Sequence, residues 1–467
     1  MRLRSLLACA ALATGAFVYT PDARACGGCF PPPGEQNSVV TDHRMVLSVS
    51  KVQSTLYDQI RYTGSPSEFA WILPISGTVE IGLSADSLFS GLDTLTSVVV
   101  QEPPRNCPPE PESCRQFDEE NAKASAGASS SGSFGASDAG VSVIASQVVG
   151  PYETVQLHPE TENDTAALEK WLTDHKFNIP DDIKPVIAQY VKEHFNFLAM
   201  RLVPGKGVQS MRPVRVTTQG ANVALPLRMV AAGTGANVGI TLWIVGEGRY
   251  QPTNFNTFIV NDDDLTWDWT GGSSNFTTIR QQKQSADPGK LWEIESSITT
   301  STSQIQNAAS FSGGGLDYLE ATDPDTQEKK EPYQVQQEDY ETLFAGIASP
   351  TSGGEVHVTR IRADLAKAAL ATDLTVGAST DQTDLARTRQ PKHENGQPLC
   401  PVYTNCTQTG QLPRDQAIAA NAQGSESDGT FTCRATSKTR GDAGLSIALG
   451  FVAITVGRAV RKRKKQC

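Results

Sequence analysis

The sequence predicts an α+β protein: a strand-rich, mixed α/β ectodomain built around a strand–helix–helix–strand unit, with a signal peptide and one C-terminal transmembrane helix. Three observations lead to this class. Residues Val148–Val203 place strong helical periodicity between two strand-like stretches. Short alternating runs bounded by Gly and Pro occur on both sides of that unit. The two ends of the chain differ in composition from everything between them.

The central unit follows from the spacing of its apolar residues. Its predicted elements are strands over Val141–Val149 and Tyr152–Leu157, a helix capped by Asp164 or Thr165, a second helix from Asp181, and a buried strand over Phe195–Val203. Asn178-Ile179-Pro180 separates the two helices, because proline interrupts helical hydrogen bonding. His194 lies on the apolar face of the second helix, which favours a hydrogen-bonded core histidine over a ligand.

Before this unit, three short strands and one helix are expected. The strands cover Ser38–Ser50, Thr55–Tyr62 and Glu68–Ile75, and their close spacing predicts neighbouring strands of a meander. Phe69–Pro74 is apolar on both faces, so a central position ended by Pro74 is expected. Ser84 is the predicted cap of a helix over Ser84–Leu95.

After the unit, strand patterns continue and then weaken. Strands are predicted over Val214–Thr218, Leu225–Ala231, Val238–Val245, Asn256–Val260 and Leu265–Trp269, followed by a turn, a short helix and a strand up to about residue 300. Beyond Thr299 the chain is more polar, with weak helical patterns at Tyr340–Ala345 and Ala363–Ala371. We therefore expect polar segments outside the core from there on.

These patterns give eight predicted segments. They are a signal peptide over 1–25, a β-rich N-terminal part of the core domain over 26–100, a Pro- then Ser/Gly/Ala-rich flexible insert over 101–140, the α/β main part of the core domain over 141–300, a polar and weakly helical extension over 301–379, a Cys-containing loop-rich stalk over 380–442, a transmembrane helix over 443–460 and a basic cytoplasmic tail over 461–467.

The two ends predict export and anchoring. Arg2 and Arg4 precede an apolar run, and Ala23-Arg24-Ala25 forms a small-residue cleavage site, as in a secretory signal. Ala443–Gly457 is uncharged and mostly apolar and precedes a basic tail, which places the C-terminus inside and the ectodomain outside. Because about 20 residues are needed to span a bilayer, a processed sorting signal and a buried core helix are the alternatives.

Charge excludes one class of partner. The chain carries −11, of which the first 25 residues contribute +2 and the final ten contribute +6, so the part between them carries −19. An acidic surface repels phosphate backbones and anionic lipid headgroups. We expect no nucleic-acid partner. The predicted partners are the membrane, through the C-terminal helix, and an unidentified protein or ligand of the envelope.

Cysteine usage suggests an oxidising compartment. Six cysteines between the two ends are candidates for disulfides, and they form the short-spaced sets Cys26/Cys29, Cys107/Cys114 and Cys400/Cys406, with Cys433 left over. Such spacing favours local disulfides in an exported protein, but spacing does not fix which cysteines pair. Cys26-Gly27-Gly28-Cys29 also has redox spacing. Its place before three prolines, rather than at a helix start, favours a structural role over redox or metal chemistry.

Other motifs give no catalytic, cofactor or metal residues. Asp262-Asp263-Asp264 lacks the Gly turn of an EF-type loop and is interpreted as solvated acids rather than a cation site. The six histidines form no H-E-x-x-H, and no G-x-S-x-G occurs. Gly233-x-Gly235 lies between strands, as expected of a hairpin loop. Trp267 and Trp269 share one strand face, for which core or rim packing is favoured over a ligand platform.

Ordered pieces of the chain resemble one family. They are CGGCF, EFAWILPISG, ADSLFSGLD, VGPYETVQL, LEKWLTDHKFNIP, YVKEHFNFLAMRL, LPLRMVA and LTWDWTGGSSNF, spread over about residues 26–300. In this order they resemble the domain-of-unknown-function family numbered 2330, which comprises exported, uncharacterised bacterial proteins. The family carries no assigned catalytic residues. The long Ser/Gly insert and the C-terminal stalk depart from its pattern.

Together these features predict an exported, membrane-anchored bacterial envelope protein that acts by binding or scaffolding rather than by catalysis. Two alternatives stay open. One is an exported enzyme, either a thiol oxidoreductase using Cys26 and Cys29 or a hydrolase with a dispersed site. The other is a surface-displayed protein whose C-terminus is a processed sorting signal.

Overall fold

A computed structural model gives the fold. It describes residues 29–30, 39–63, 70–110, 143–175, 177, 179, 181–206, 210–231, 237–287, 289–313, 317–322, 329–347, 354–404 and 407–426. The chain divides into two compact units. We call them the main unit (residues 1–107 and 117–399) and the small unit (108–116 and 400–467).

Strands dominate the described residues. The strands are β1 Cys29–Phe30, β2 Val39–Val49, β3 Gln53–Thr63, β4 Ala70–Ile75, β5 Glu80–Leu83, β6 Val99–Val100, β7 Val143–Val149, β8 Tyr152–Leu157, β9 Asn196–Leu202, β10 Val214–Gln219, β11 Ala224–Leu225, β12 Asn237–Gly246, β13 Tyr250–Pro252, β14 Thr257–Phe258, β15 Thr266–Asp268, β16 Ser273–Ser274, β17 Trp292–Ser301, β18 Ala321–Thr322, β19 Lys329–Lys330, β20 Glu355–Ala366, β21 Leu374–Ala378, β22 Thr388–Arg389, β23 His393–Asn395, β24 Leu399–Thr404 and β25 Thr407–Pro413. The helices are α1 Asp86–Thr96, α2 Thr165–Asp174, α3 Lys184–Lys192, α4 Leu227–Val230, α5 Phe276–Ser285, α6 Thr302–Gly313, α7 Pro332–Phe344 and α8 Arg414–Glu426. Strands and helices therefore alternate irregularly along the chain, which confirms the predicted strand-rich α+β class.

The larger sheet of the main unit has eight strands in the order β14-β17-β20-β12-β2-β3-β10-β5. β12 lies near its centre, pairing parallel with β2 and antiparallel with β20. Every residue of β12 from Val238 onward is buried, as expected of a strand covered on both faces. α1 and α6 pack on one face, and the other face contributes to a core around Leu242, Ile244 and Ile361.

The predicted strand–helix–helix–strand unit is confirmed. β8, α2, α3 and β9 follow one another, and β8 pairs antiparallel with β9 inside a five-stranded sheet of order β1-β4-β9-β8-β7. Leu172 and Ile187, one from each helix, are fully buried in a common core with Phe197 of β9. The apolar stripes that predict the two helices are thus the faces that they bury.

Two predicted strands have other structures. β4 does not continue the β2–β3 meander, because it pairs with β9 in the five-stranded sheet and runs through Pro74 to Ile75. The predicted strand over Leu225–Ala231 is only β11, after which α4 begins with Pro226 at its N-cap. Proline removes a donor from a sheet but suits a helix start, which explains the change.

The prediction that residues 301–379 form a polar extension outside the core is wrong. These residues form α6, α7, β20 and β21, and β20 lies between β17 and β12 in the eight-stranded sheet. Polar side chains such as Arg360 are buried there by ion pairing, so composition concealed a central strand. The first part of the expected stalk also belongs to the main unit, since β22 pairs with β6 and β23 with β15.

Two predicted capping and core roles are also wrong. Ala85, not Ser84, is the N-cap of α1, and the Ser84 hydroxyl donates instead to the Asp339 carboxylate. The His194 side chain is 74% exposed, with a φ of 62°. Phe195 N–H donates to Tyr190 O, so His194 occupies the left-handed position that ends α3 rather than a core position.

Several predictions concern residues outside those that the structure describes. They are the signal peptide over 1–25, residues 111–140 of the insert, the loop at Gly233-x-Gly235, residues 427–442 of the stalk, the transmembrane helix over 443–460 and the tail over 461–467. Among the described helices, none is both long and apolar enough to cross a membrane. The small unit contains the two-stranded sheet of β24 and β25, followed by α8.

Candidate functional site

The first end of β17 carries buried carboxylates paired with arginines. A bulge inserts Glu295 as an extra residue between Ile294 and Ser296. Arg280 of α5 forms short ion pairs with both Glu293 and Glu295. Burial raises the pKa of Glu293 to about 7, against the opposing effect of Arg280. This end of the strand is therefore a closed charge network.

The network continues across the sheet to α1. Arg360 forms a short ion pair with Glu295 and donates to Asp93 at 2.6 Å. Arg44 also pairs with Asp93, and the guanidinium carbons of Arg44 and Arg360 each lie 5.1 Å from the ring centroid of Trp243. Cations over an indole ring gain from its negative face. These charges hold α1 on the sheet.

A second buried network surrounds Asp339 of α7. Its side chain accepts hydrogen bonds from Ser84 at 2.6 Å, Tyr318 at 2.8 Å and Arg215 at 3.3 Å. Burial raises the pKa of Asp339, while Arg215 acts in the opposite direction. Burying a carboxylate costs little folding free energy only when its oxygens accept hydrogen bonds. Asp339 has three such donors, and they join α7 to β10 and to Ser84, the residue after β5.

A third network joins α3 to α4. Arg228 donates to Glu193 through two nitrogens at 2.8 and 2.6 Å and to Asp373 through Nε at 3.0 Å and Nη2 at 2.7 Å. Tyr190 donates to the same Asp373 at 2.6 Å, and its ring centroid lies 4.1 Å from the Arg228 guanidinium carbon. These hydrogen bonds between paired charges are structural.

The other end of β17 borders an open pocket, which we call the β17 pocket. Its volume is about 610 Å³. The lining residues come from α1, β17, α6 and the segment before β22, and they are Leu95, Ile298, Thr299, Thr300, Gln304, Asn307, Ala308, Asp384 and Ala386. Pockets of this size bind small ligands or short stretches of a partner.

Close helix packing forms one wall of the β17 pocket. At Gly91 of α1, an added Cβ would lie 2.5 Å from Ala309 N, so glycine allows α6 to approach. Thr300 Oγ1 donates to Gln304 Oε1 at 2.6 Å, and Gln304 N–H donates to Ser301 Oγ at 3.2 Å. This pairing caps α6 directly after β17. The strand edge and the first turn of α6 are thereby fixed side by side.

Asp384 is oriented by the strand edge. Leu385 bridges to Ser297 through two backbone hydrogen bonds of 2.9 and 2.6 Å. Thr299 then donates to Asp384 twice, from N–H to Oδ2 at 3.1 Å and from Oγ1 to Oδ1 at 3.1 Å. The Asp384 side chain is 51% exposed. The pocket therefore presents a positioned carboxylate to solvent.

His357 lies behind Thr299. Its Nε2 is 2.7 Å from Ser297 Oγ, and its Nδ1 is 3.4 Å from Thr299 Oγ1 and 3.8 Å from Asp384 Oδ1. Burial lowers the pKa of His357, so the imidazole is neutral near pH 7. The set of serine, histidine and aspartate resembles a catalytic triad in composition. Ser297 has no exposed surface and also contacts Thr359 Oγ1 at 2.9 Å, so this hydroxyl braces the sheet.

The structure locates some of the candidate cysteines. Cys29 lies on β1, where its backbone pairs with Trp71 of β4, so it stands on a strand and not at a helix start. Cys107 and Cys400 are each disulfide-bonded. Cys26, Cys114, Cys406 and Cys433 lie outside the described residues. The local pairings favoured by spacing stay predictions.

The acidic and aromatic motifs have local partners. Asp264 and Asn261 form a reciprocal capping box, and Lys283 pairs with Asp264 at 3.0 Å. Within the described ranges, no group of three or more His, Cys, Asp or Glu is placed to hold a metal ion. Trp267 is buried, and Trp269 donates its indole N–H to Glu394 at 2.8 Å.

Sequence reasoning missed Thr299 and Asp384, the hydrogen-bonded pair in the lining of the β17 pocket, and His357 behind them. Each is isolated in sequence, and none belongs to a recognisable motif. The alternation of Ile298 and Thr300 with Ser297 and Thr299 does indicate a strand with two different faces. Nothing in the sequence signals that the segment around Asp384 returns to that strand.

A family model matches residues 20–374, and its description is "uncharacterized protein conserved in bacteria (DUF2330)". The chain belongs to this family. The match covers the main-unit strands from β1 up to the start of β21, including the β17 edge but not Asp384. The family assignment confirms the resemblance drawn from the sequence and adds no activity.

No curated protein matches the chain. A crystal structure of baculovirus P35 aligns over 47% of this chain and 68% of its own, at 9% identity and a TM-score of 0.27. A mutated baculovirus P35 after caspase cleavage aligns over 45% of this chain and 67% of its own, at 10% identity and a TM-score of 0.22. Likenesses at these scores carry no functional argument.

Proposed function

We propose that this family member is an exported bacterial cell-envelope protein, anchored by its C-terminal apolar helix, whose main unit works by binding or scaffolding. The observation that carries the binding role is a contrast inside the main unit. In the three networks, the charged side chains form ion pairs and hydrogen bonds with one another. The β17 pocket, in contrast, is open and has the Asp384 carboxylate in its lining. Binding needs a positioned group and space, and this pocket supplies both.

Export and anchoring rest on the two ends and on cysteine chemistry. The signal-like start and the apolar Ala443–Gly457 with its basic tail support an outside main unit and an inside C-terminus. Disulfide-bonded Cys107 and Cys400 suit an oxidising compartment. The negative charge between the ends favours protein or small-molecule partners over nucleic acid.

Fractionation and mass measurement test the location. The full-length protein should remain in the membrane pellet after carbonate washing, and its intact mass should show loss of residues 1–25 and retention of 443–467. Recovery in the soluble cytoplasmic fraction with an uncleaved start overturns the proposal. Loss of residues beyond about Asp442 selects the sorting-signal alternative. Proximity labelling from the exported side then identifies the envelope partners, and absence of reproducible neighbours contradicts scaffolding.

A hydrolase is the second candidate, and the Ser297, His357 and Asp384 set is the observation that favours it. The 2.7 Å contact between Ser297 Oγ and His357 Nε2 fits a nucleophile and base. The 3.8 Å separation from Asp384 and the burial of Ser297 oppose it. Catalysis would require both the hydroxyl and an oxyanion site to become accessible.

A covalent probe decides this second candidate. A fluorophosphonate should label the wild-type protein if Ser297 is a nucleophile, and Ser297→Ala should abolish that labelling. We expect no labelling of either protein, because the hydroxyl is covered. The thiol-oxidoreductase alternative is tested separately by titrating free thiols at Cys26 and Cys29, where a disulfide resistant to mild reductant rejects it.

A further inference from the structure

Asp384 differs from the other paired carboxylates around β17 in lacking a fixed cation. Glu293, Glu295 and Asp93 each pair with an arginine. Among the residues that the structure describes, no lysine or arginine forms an ion pair with Asp384. Its ionisable neighbour is His357, whose Nδ1 lies 3.8 Å from Asp384 Oδ1. Since burial lowers the pKa of His357, that neighbour is uncharged near pH 7. The carboxylate is oriented but not neutralised.

We propose that the β17 pocket binds a ligand through a primary ammonium group placed on Asp384, an inference that rests on the proposed binding function and names its ligand class. A carboxylate held by two hydrogen bonds from Thr299 is preorganised, so little ordering entropy is lost when a cation arrives. Charge-assisted hydrogen bonds to such a group are stronger than neutral ones.

The rest of the lining suits an ammonium on an aliphatic or sugar frame. An ammonium has three donors and no acceptor, so it needs oxygen acceptors around it. Thr300 and Asn307 line the same pocket and each carries a side-chain oxygen that can accept, whereas Gln304 Oε1 already accepts from Thr300 Oγ1 and Ser301 N–H. Leu95, Ile298 and Ala308 supply an apolar wall that can cover a methylene stem. Purely anionic ligands are disfavoured by Asp384.

The volume admits more than the ammonium itself. At about 610 Å³, the pocket has room for a lysine residue with its peptide neighbours, a diamine or an amino sugar. These three sources share the primary ammonium, and separate probes distinguish them.

The experiment titrates purified, detergent-solubilised full-length protein by saturation-transfer NMR. The three probes are N-acetyl-lysine methylamide, cadaverine and glucosamine. N-acetyl-norleucine methylamide, pentane-1,5-diol and N-acetylglucosamine are their respective uncharged counterparts. We expect at least one ammonium probe to bind with a Kd below about 1 mM, with its uncharged counterpart at least about tenfold weaker.

Two variants locate the site, each with a matched control. Asp384→Asn should weaken the bound probe by about tenfold, whereas Asp263→Asn, the same charge change at an exposed position, should leave the Kd unchanged. Ala308→Trp should block the pocket and abolish binding. Ser310→Trp places the same bulk on an exposed position of α6 outside the lining and should bind as wild type.

The outcomes are decisive in either direction. No measurable binding of any ammonium probe, or equal affinity in Asp384→Asn and wild type, overturns the proposal. Retained binding in a folded Ala308→Trp protein also overturns it. If Ala308→Trp does not fold, the Asp384 and Asp263 pair decides alone. If the wild-type protein binds no ammonium probe but proximity labelling still finds its envelope neighbours, this ligand class is rejected and the scaffolding function stands.

Discussion

Acidic side chains at the two ends of β17 have opposite environments. At the first end, Glu293 and Glu295 are almost fully buried and are paired with Arg280 and Arg360. At the far end, Asp384 is half exposed, is held by Thr299 and borders an open pocket. One strand thus carries both a closed network and an open one.

The difference teaches how to separate structural charges from functional ones. A buried carboxylate that is paired with a cation is out of reach of a ligand, and removing the cation costs folding free energy. A carboxylate in an open pocket with hydroxyl donors but no cation contributes little to folding and retains its charge for binding. Substitutions at the two ends should therefore affect different measurements.

The largest expected effect is the loss of the buried cation. Arg280→Met leaves Glu293 without its ion-pair partner in a buried position, and we expect the free energy of unfolding to fall by about 3 kcal/mol. Urea unfolding monitored by circular dichroism measures it. Lys283→Met on the same helix removes a half-exposed pair with Asp264 and should cost less than about 1 kcal/mol. Equal losses would remove the basis of the comparison.

The next effect is a pH dependence from Glu293. Its pKa is raised by burial from 4.5 to about 7, so the folded protein binds a proton more tightly than the unfolded chain does. The stabilisation is complete below pH 4.5 and is lost as pH rises through 7. Between pH 5 and pH 8, the free energy of unfolding should therefore fall by about 2 kcal/mol less in Glu293→Gln than in the wild type. Urea unfolding at the two pH values measures this difference. Glu355→Gln, an exposed change on β20, should keep the wild-type slope, and an unchanged slope in Glu293→Gln would refute the assignment.

A smaller effect is expected where the pocket meets the strand. Thr299→Val keeps a β-branched residue in β17 but removes the hydroxyl that donates to Asp384. We expect a loss of about 1 kcal/mol in unfolding free energy and a weaker Kd for the bound ammonium probe, because Asp384 becomes less ordered. Ile294→Val, a change in the same strand outside the pocket lining, controls for the strand itself. Stability loss with unchanged probe affinity would show that the hydroxyl serves only folding.

The smallest effect is predicted for Asp384 itself. Asp384→Asn keeps the shape and an acceptor oxygen at a half-exposed position, so stability should change by less than about 0.5 kcal/mol. The measurement is the same urea titration. A loss comparable to that of Arg280→Met would mean that Asp384 is a structural charge after all.

The sequence could predict the elements whose pattern is local. The β8–α2–α3–β9 unit was accessible because its helical stripes, around Leu172 and Ile187, are the surfaces it buries. Turn residues and prolines in the sequence indicated where each of its strands and helices ends. Family membership was accessible from the same stretch, since its ordered pieces fall inside the matched region.

The candidate site could not be predicted because it depends on distant pairing. β20 has His357 and Arg360 at buried positions, so its composition resembles that of an exposed segment. Their burial is possible only because Ser297 and Glu295, on another strand, supply partners. Asp384 reaches Thr299 through the single Leu385–Ser297 bridge, a contact with no local signature.

The parallel pairing of β2 with β12 also has a consequence for how the chain folds. β2 lies near the start of the main unit, yet its neighbour β12 is synthesised much later, and the next strand, β20, later still. Strands so far apart in sequence lose loop-closure entropy before their contacts form. Folding is slow for this reason. A growing chain that ends before Glu355, the first residue of β20, leaves one edge of β12 unpaired and open to other strands. The eight-stranded sheet is thus a late product of synthesis, completed only when nearly all of the main unit is present.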